Sequence, residues 1–129
     1  MTLNTAMKLS ATGMSAERFR MDVISSNIAN ANSMKIGEKD PYRRRIVALE
    51  GDDSGVRISR VWEDLSQLKQ VQEPGSPYAD ENGYVYYSNV DPLSEMVDMM
   101  SASRAYEANI AAFNSAKGMI RAALNIGRV

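Results

Sequence analysis

No cysteine and no histidine occur among the 129 residues. Without cysteine there can be no disulfide, no thiolate nucleophile and no cysteine-ligated zinc. Without histidine the commonest general base and the commonest metal ligand are missing as well. Charge of one sign is also lacking: 15 basic and 16 acidic residues leave a formal net charge of −1. Such a balance supplies no field to steer a nucleic acid or an anionic membrane. Long apolar runs are absent, and Asn4, Lys8, Ser10, Thr12 and Ser15 interrupt the first residues. This predicts no cleaved signal peptide, and nothing approaches the ~20 apolar residues of a membrane span. What remains, 44% apolar and 24% charged, suits one domain, or one domain with a small insertion.

The last third of the chain is the best-marked part. Asp91-Pro92 pairs an N-cap carboxylate with proline at the first helical position. Gly127 stands where a left-handed glycine would end the helix. Between them Met96, Met99, Tyr106, Ile110, Phe113, Ile120 and Leu124 recur at steps of three and four, interrupted only by Ser103 and Lys117. A helix of that span is about 50 Å long. A compact domain of this length has a radius of gyration of only about 14 Å. A long partner must lie along it, and the chain supplies one candidate.

That candidate is Leu3 to Asn30. Met7, Met14, Met21 and Ile28 are seven apart, with Leu3 and Ile24 between them and Ser10 and Glu17 weakening the second row. An amphipathic helix on a globular core is the plain alternative. Two heptad helices at opposite ends favour a coiled-coil pair, parallel or antiparallel, with the middle as a bulge. Of the 9 methionines, seven lie on these two segments beyond the first residue. Their flexible thioethers suit either core filling or surfaces that meet more than one partner.

The expected fold is therefore mainly α with a small β insertion. Residues 1–32 and 91–129 form a discontinuous helical core, and residues 33–90 form an extended, hairpin-containing insertion. Ile46 to Glu63 predicts a hairpin around a five-residue Gly51–Gly55 loop, with Trp62 on its face. Residues 64–90 read as irregular linker, apart from a short strand at Tyr84–Tyr87.

Little chemistry is on offer. Asp52, Asp53, Asp80 and Glu81 are carboxylates in turn-rich sequence, where solvated acids are the default and calcium-loop spacing is lacking. Tyr42-Arg43-Arg44-Arg45 is a thin case for phosphate and a better one for a salt-bridging face. Neither a catalytic residue, a cofactor site, a metal site nor a small-molecule substrate is predicted. The stretch Ser25-Ser26-Asn27-Ile28-Ala29-Asn30-Ala31-Asn32 ends the first helix with three asparagines. Their amides either cap a polar terminus or hydrogen-bond across a helix or subunit contact.

Several of these stretches are familiar together. Ala11-Thr12-Gly13-Met14 leads to the Ser25, Asn27, Ile28, Ala29, Asn30, Asn32 pattern; Pro41-Tyr42-Arg43-Arg44 and Pro74-Gly75-Ser76-Pro77-Tyr78 lie in the middle; Asn89-Val90-Asp91-Pro92 and Glu95 to Asn109 lie at the end. Over nearly its whole length the chain resembles the bacterial flagellar basal-body rod proteins, and among them the C type of the proximal rod. It departs from that pattern at Leu68-Lys69 and at Gln72. The resemblance implies a non-enzymatic structural subunit whose terminal helices pack in a helical tube with other copies and other rod proteins. It also implies export by the flagellar type III apparatus without a cleaved signal, and assembly in the periplasm near the membrane ring. Another rod protein of the same axial family, or a helical protein-binding adaptor, is the alternative.

Overall fold

The computed structural model describes residues 2–128. Its elements are α1 (Leu3–Ala29), β1 (Arg45–Asp52), β2 (Gly55–Glu63), β3 (Lys69–Gln72), β4 (Tyr84–Tyr87) and α2 (Pro92–Ile126). This is the expected class, two long terminal helices around a small β-containing middle. No helix among the described residues is long and apolar enough to cross a membrane.

Local chemistry explains the helix ends. The Thr2 hydroxyl accepts the Thr5 N–H at 3.1 Å and caps α1. Asp91 caps α2, accepting the Leu93 N–H at 3.2 Å on one oxygen and the Ser94 hydroxyl at 2.9 Å on the other. The C-terminal ends differ from expectation. Gly127 is not left-handed; its N–H continues to Ala123 O at 3.3 Å, and the Arg128 N–H reaches Asn125 O at 3.2 Å. The last turn tightens toward i to i−3 spacing, which satisfies carbonyls without a reversal. The asparagines after α1 likewise adopt no positive φ, and the Ala31 N–H bonds Ile28 O at 3.2 Å instead.

The first hairpin pairs β1 with β2 through a two-residue turn, Asp53-Ser54, rather than the five-residue loop expected from its Gly and Asp content. Asp52 makes the shorter turn possible: its carboxylate accepts both the Ser54 N–H, at 2.8 Å, and the Ser54 hydroxyl. Gly55 then takes φ 128°, which a side chain would resist. Trp62 is half-buried on β2.

Residues 64–90 contain a second hairpin that composition conceals. β3 and β4 are antiparallel, with Lys69 opposite Tyr87 and Val71 opposite Val85. Lys-Gln-Val-Gln carries one apolar residue, so this strand exists because a Tyr-Val-Tyr-Tyr partner offers its backbone. On its other edge β4 bridges to Met34. The departures at Lys69 and Gln72 from the rod-protein pattern fall at the two ends of β3.

The chain divides into two compact units. One takes the residues up to Met21, Val47–Arg60 and those from Met100 on; the other takes Asp22–Ile46 and Val61–Met99. In the first, the buried side chains are mostly small: Ala16, Ala102 and Ala116, with Glu17 paired to Arg20 at 3.2 Å. Two adjacent α1 residues set its contacts. A Cβ on Gly13 would lie 2.6 Å from Asn109 Oδ1, so α1 and α2 approach closely there. The Thr12 hydroxyl accepts the Val56 N–H at 3.1 Å and anchors β2 where Gly55 leaves room. In the second unit Ile24, Val85 and Val90 are buried beside Asn27, Ser88 and Glu95.

Candidate assembly interface

The second unit is built on Asn27, which is 1% exposed. Its side-chain nitrogen donates to Arg45 O at 2.9 Å and to Glu95 Oε2 at 3.1 Å. Its oxygen accepts the Arg45 N–H at 3.0 Å and the Tyr42 hydroxyl at 2.7 Å. Every donor and acceptor of the amide is thus used. One residue ties the end of α1 to the start of β1 and to the first turns of α2. Asparagine is required because it alone pairs in both directions with a backbone N–H and C=O at this size.

Glu95, also 1% exposed, carries the next link. Its Oε1 accepts from Arg44 Nε, while the other Arg44 nitrogens lie 3.6 Å from Asp64 and 3.5 Å from Asp98. Burial pulls the Arg44 guanidinium down, but the hydrogen bond and charge of Glu95, then Asp64 and Asp98, outweigh this and raise it. Asn89 completes the cluster: its oxygen accepts the Arg44 N–H at 2.8 Å, and its nitrogen donates to Asp64 O at 2.9 Å. The Tyr42–Arg45 run is therefore a salt-bridging element at Arg44. Arg43 donates to Ser66 O at 3.0 Å, and Arg45 sits 5.9 Å from the Tyr42 ring centre. Neither Arg44 nor Glu95 was singled out from sequence as a site, and the only signal was their place inside the two family-like stretches.

The rest of the terminal motif is divided. Asn30 bonds back to Ser26 O at 2.8 Å within its own helix. Ser25, Ala29, Asn30 and Asn32 are exposed and Ile28 is half-buried. Asn27 is the one of the three asparagines that reaches across to another helix.

On α2 the inward positions are Glu95, Met99, Ala102, Tyr106, Asn109, Phe113, Ala116 and Ile120. Met99, Tyr106, Phe113 and Ile120 belong to the expected seam. At three alternate positions the more buried residue lies one place earlier: Glu95 beside Met96, Ala102 beside Ser103 and Ala116 beside Lys117. Ile110 is half-buried, whereas Met96 is 55% and Leu124 is 68% exposed. On α1, Ile24 is buried and Met7, Met14 and Met21 are half-buried. Hydrophobicity favours Met96 over Glu95, but a closely packed helix face takes the hydrogen-bonded side chain, and small alanines where the apolar seam breaks.

Comparison with known proteins agrees with these two matched ends. The family described as "Flagella basal body rod protein" matches residues 3–33, and "Flagellar basal body rod FlgEFG protein C-terminal" matches residues 81–126. The flagellar basal-body rod protein FlgC of Bacillus subtilis is 40% identical, over 99% of this chain and 100% of its own. Those of Salmonella typhimurium, at 39% over 99% and 100%, and Borreliella burgdorferi, at 38% over 98% and 98%, are similar. The chain belongs to the FlgC-type flagellar basal-body rod proteins. It is a structural subunit of the flagellar basal-body rod. The two matched segments of this rod protein meet at the Asn27–Glu95 hydrogen bond, and Arg44, which lies between them in sequence, is held by the second.

Proposed function

We propose that this rod protein helps build the proximal rod by packing its discontinuous helical core against other copies of itself and other rod proteins. The product is a helical tube that transmits torque, and the subunit has no catalytic role. Export in an unfolded state through the flagellar type III apparatus, without a cleaved signal, and assembly in the periplasm near the membrane ring complete this reading. The observation that carries it is the apolar surface left on α2. Met96, Val97, Met100, Met119, Leu124 and Ile126 are all more than half exposed. Apolar side chains gathered on one helix in this way mark an interaction surface. The expected seam residues fall into two groups, those packed within the chain and those, such as Met96 and Leu124, available to neighbours.

The test is a variant carrying Met96→Ser and Met119→Ser. Both side chains already face solvent in the single chain, so its melting and secretion should stay unchanged. Incorporation into isolated basal bodies should fall. Normal incorporation would show that this helix surface meets no neighbour.

A further inference from the structure

A hollow of about 280 Å³ lies in the second unit, between the turn after α1, β3, β4 and the start of α2. That is roughly twice the ~150 Å³ cavity that accepts a benzene ring. Val71 and Val90 give it apolar wall, and Lys69 and Glu73 stand at it with opposite charge. Among the described residues the Glu73 carboxylate accepts only from the uncharged Tyr87 hydroxyl, at 3.3 Å, and the Lys69 ammonium has no partner. The hollow thus has one apolar wall in an otherwise mixed lining and, among the described residues, one charge of each sign without a charged partner.

The end of α2 has the complementary set. Leu124 and Ile126 are 68% and 83% exposed. No basic residue lies in the last turn itself, so only Arg128, just beyond it, stands near the negative end of the helix dipole. Arg128 follows with no side-chain partner among the described residues. Charge also divides along the helix: from Asp91 to Glu107 there are four acids and one arginine, and after Glu107 only Lys117, Arg121 and Arg128.

We propose that the hollow receives the C-terminal end of α2 from a second copy of this chain. Ile126 enters against the apolar wall, Lys69 meets the negative helix end, and Glu73 pairs with Arg128. This deepens, and rests on, the reading of α2 as an assembly surface. The contact joins two different patches, so each copy offers both a hollow and a helix end, and the association propagates head to tail.

The absence of cysteine makes the test clean. Val71→Cys and Ile126→Cys chains are produced together in cells in place of the unsubstituted protein, and isolated basal bodies are mildly oxidised. A disulfide needs Cβ atoms about 3.5–4.5 Å apart. A cross-linked dimer containing one chain of each kind is expected only when both are present. At equal secretion, Glu73→Arg and Arg128→Glu should each lower incorporation by about tenfold or more through like-charge contact. The two together should restore it. Assembled basal bodies without the mixed dimer and without charge rescue would overturn the proposal, as would a cross-link to a different rod protein. Either result leaves the wider assembly reading standing if Met96→Ser with Met119→Ser still blocks incorporation, and that reading falls if it does not.

Discussion

Gly13 on α1 and Asn109 on α2 share a space that a single methyl group would close. A Cβ at Gly13 would stand 2.6 Å from Asn109 Oδ1 and 2.8 Å from both Cγ and Nδ2, so the whole amide would have to swing away. Asn109 is held in place by its own bond to Ala105 O at 2.9 Å. A glycine in mid-helix costs about 1 kcal/mol of helix propensity relative to alanine. Here it offsets that by letting two helices approach.

The two helical glycines should therefore respond in opposite directions. Gly118 on α2 has nothing within 4 Å of an added Cβ, so Gly118→Ala should stabilise the free chain by about 0.5–1 kcal/mol. Gly13→Ala should destabilise it by about 1–3 kcal/mol through overpacking. In an Asn109→Ala background the same substitution should turn stabilising. Thermal melts of the four variants test this; a stabilising Gly13→Ala in the parent chain would mean that the amide moves freely.

Replacing Asn27 tests the buried hub. Asn27→Ala leaves the Arg45 backbone pair and the Tyr42 hydroxyl short of partners, and each orphaned buried group costs about 1–3 kcal/mol. Asn27→Asp keeps the shape but removes the donor and sets a second carboxylate near Glu95. It should destabilise at least as much as alanine at neutral pH. Pairing Asn27→Asp with Glu95→Gln should recover part of the loss. Hydrogen exchange at Arg45 and Glu95 reports both changes, and protection unchanged by Asn27→Asp would remove the hub from this account.

Strong acid should loosen the turn before β4. Asp80 is held below the usual carboxylate range chiefly by the Tyr84 N–H, against some burial, and then by the Tyr86 hydroxyl and the Asn82 N–H. A carboxyl lowered in the fold stabilises fully above its unfolded value of about 3.9, and that contribution is lost as pH falls through the folded value. Asp64, lowered first by the Ser66 N–H, behaves the same way. NMR titration should place Asp80 below ordinary aspartate, with loss of Tyr84 amide protection as pH falls through that lowered folded value. Asp80→Asn should flatten that dependence.

Phe113→Ala separates assembly from folding. Phe113 is half-buried within the chain, so its truncation should cost less in the free protein than the about 3–5 kcal/mol of a fully buried phenylalanine. Secretion should be nearly unchanged while incorporation into the basal body falls sharply. Glu107→Ala, on the exposed face, should do much less. A large drop in melting temperature with normal incorporation would instead favour a self-contained adaptor.

The sequence by itself determined both helices to within a residue, the cap at Asp91, the first hairpin and the rod-protein family. The helices, cap and hairpin rest on local chemistry and on periodicity, which survive without a partner strand or helix, and the family rests on the resemblance of whole motifs. Tertiary structure alone decided β3, because Lys69–Gln72 has no strand character until β4 pairs with it. It alone decided which side of the α2 seam turns inward. Ala102 and Ala116 are buried beside Ser103 and Lys117, where the apolar seam breaks, and Glu95 is buried beside the exposed Met96, since close approach rewards small volume and saturated hydrogen bonds over apolar area. The Asn27–Glu95–Arg44 cluster was unreadable for a related reason. Its members lie 17 to 68 residues apart, and a buried charge is tolerable only where folding brings every partner within reach.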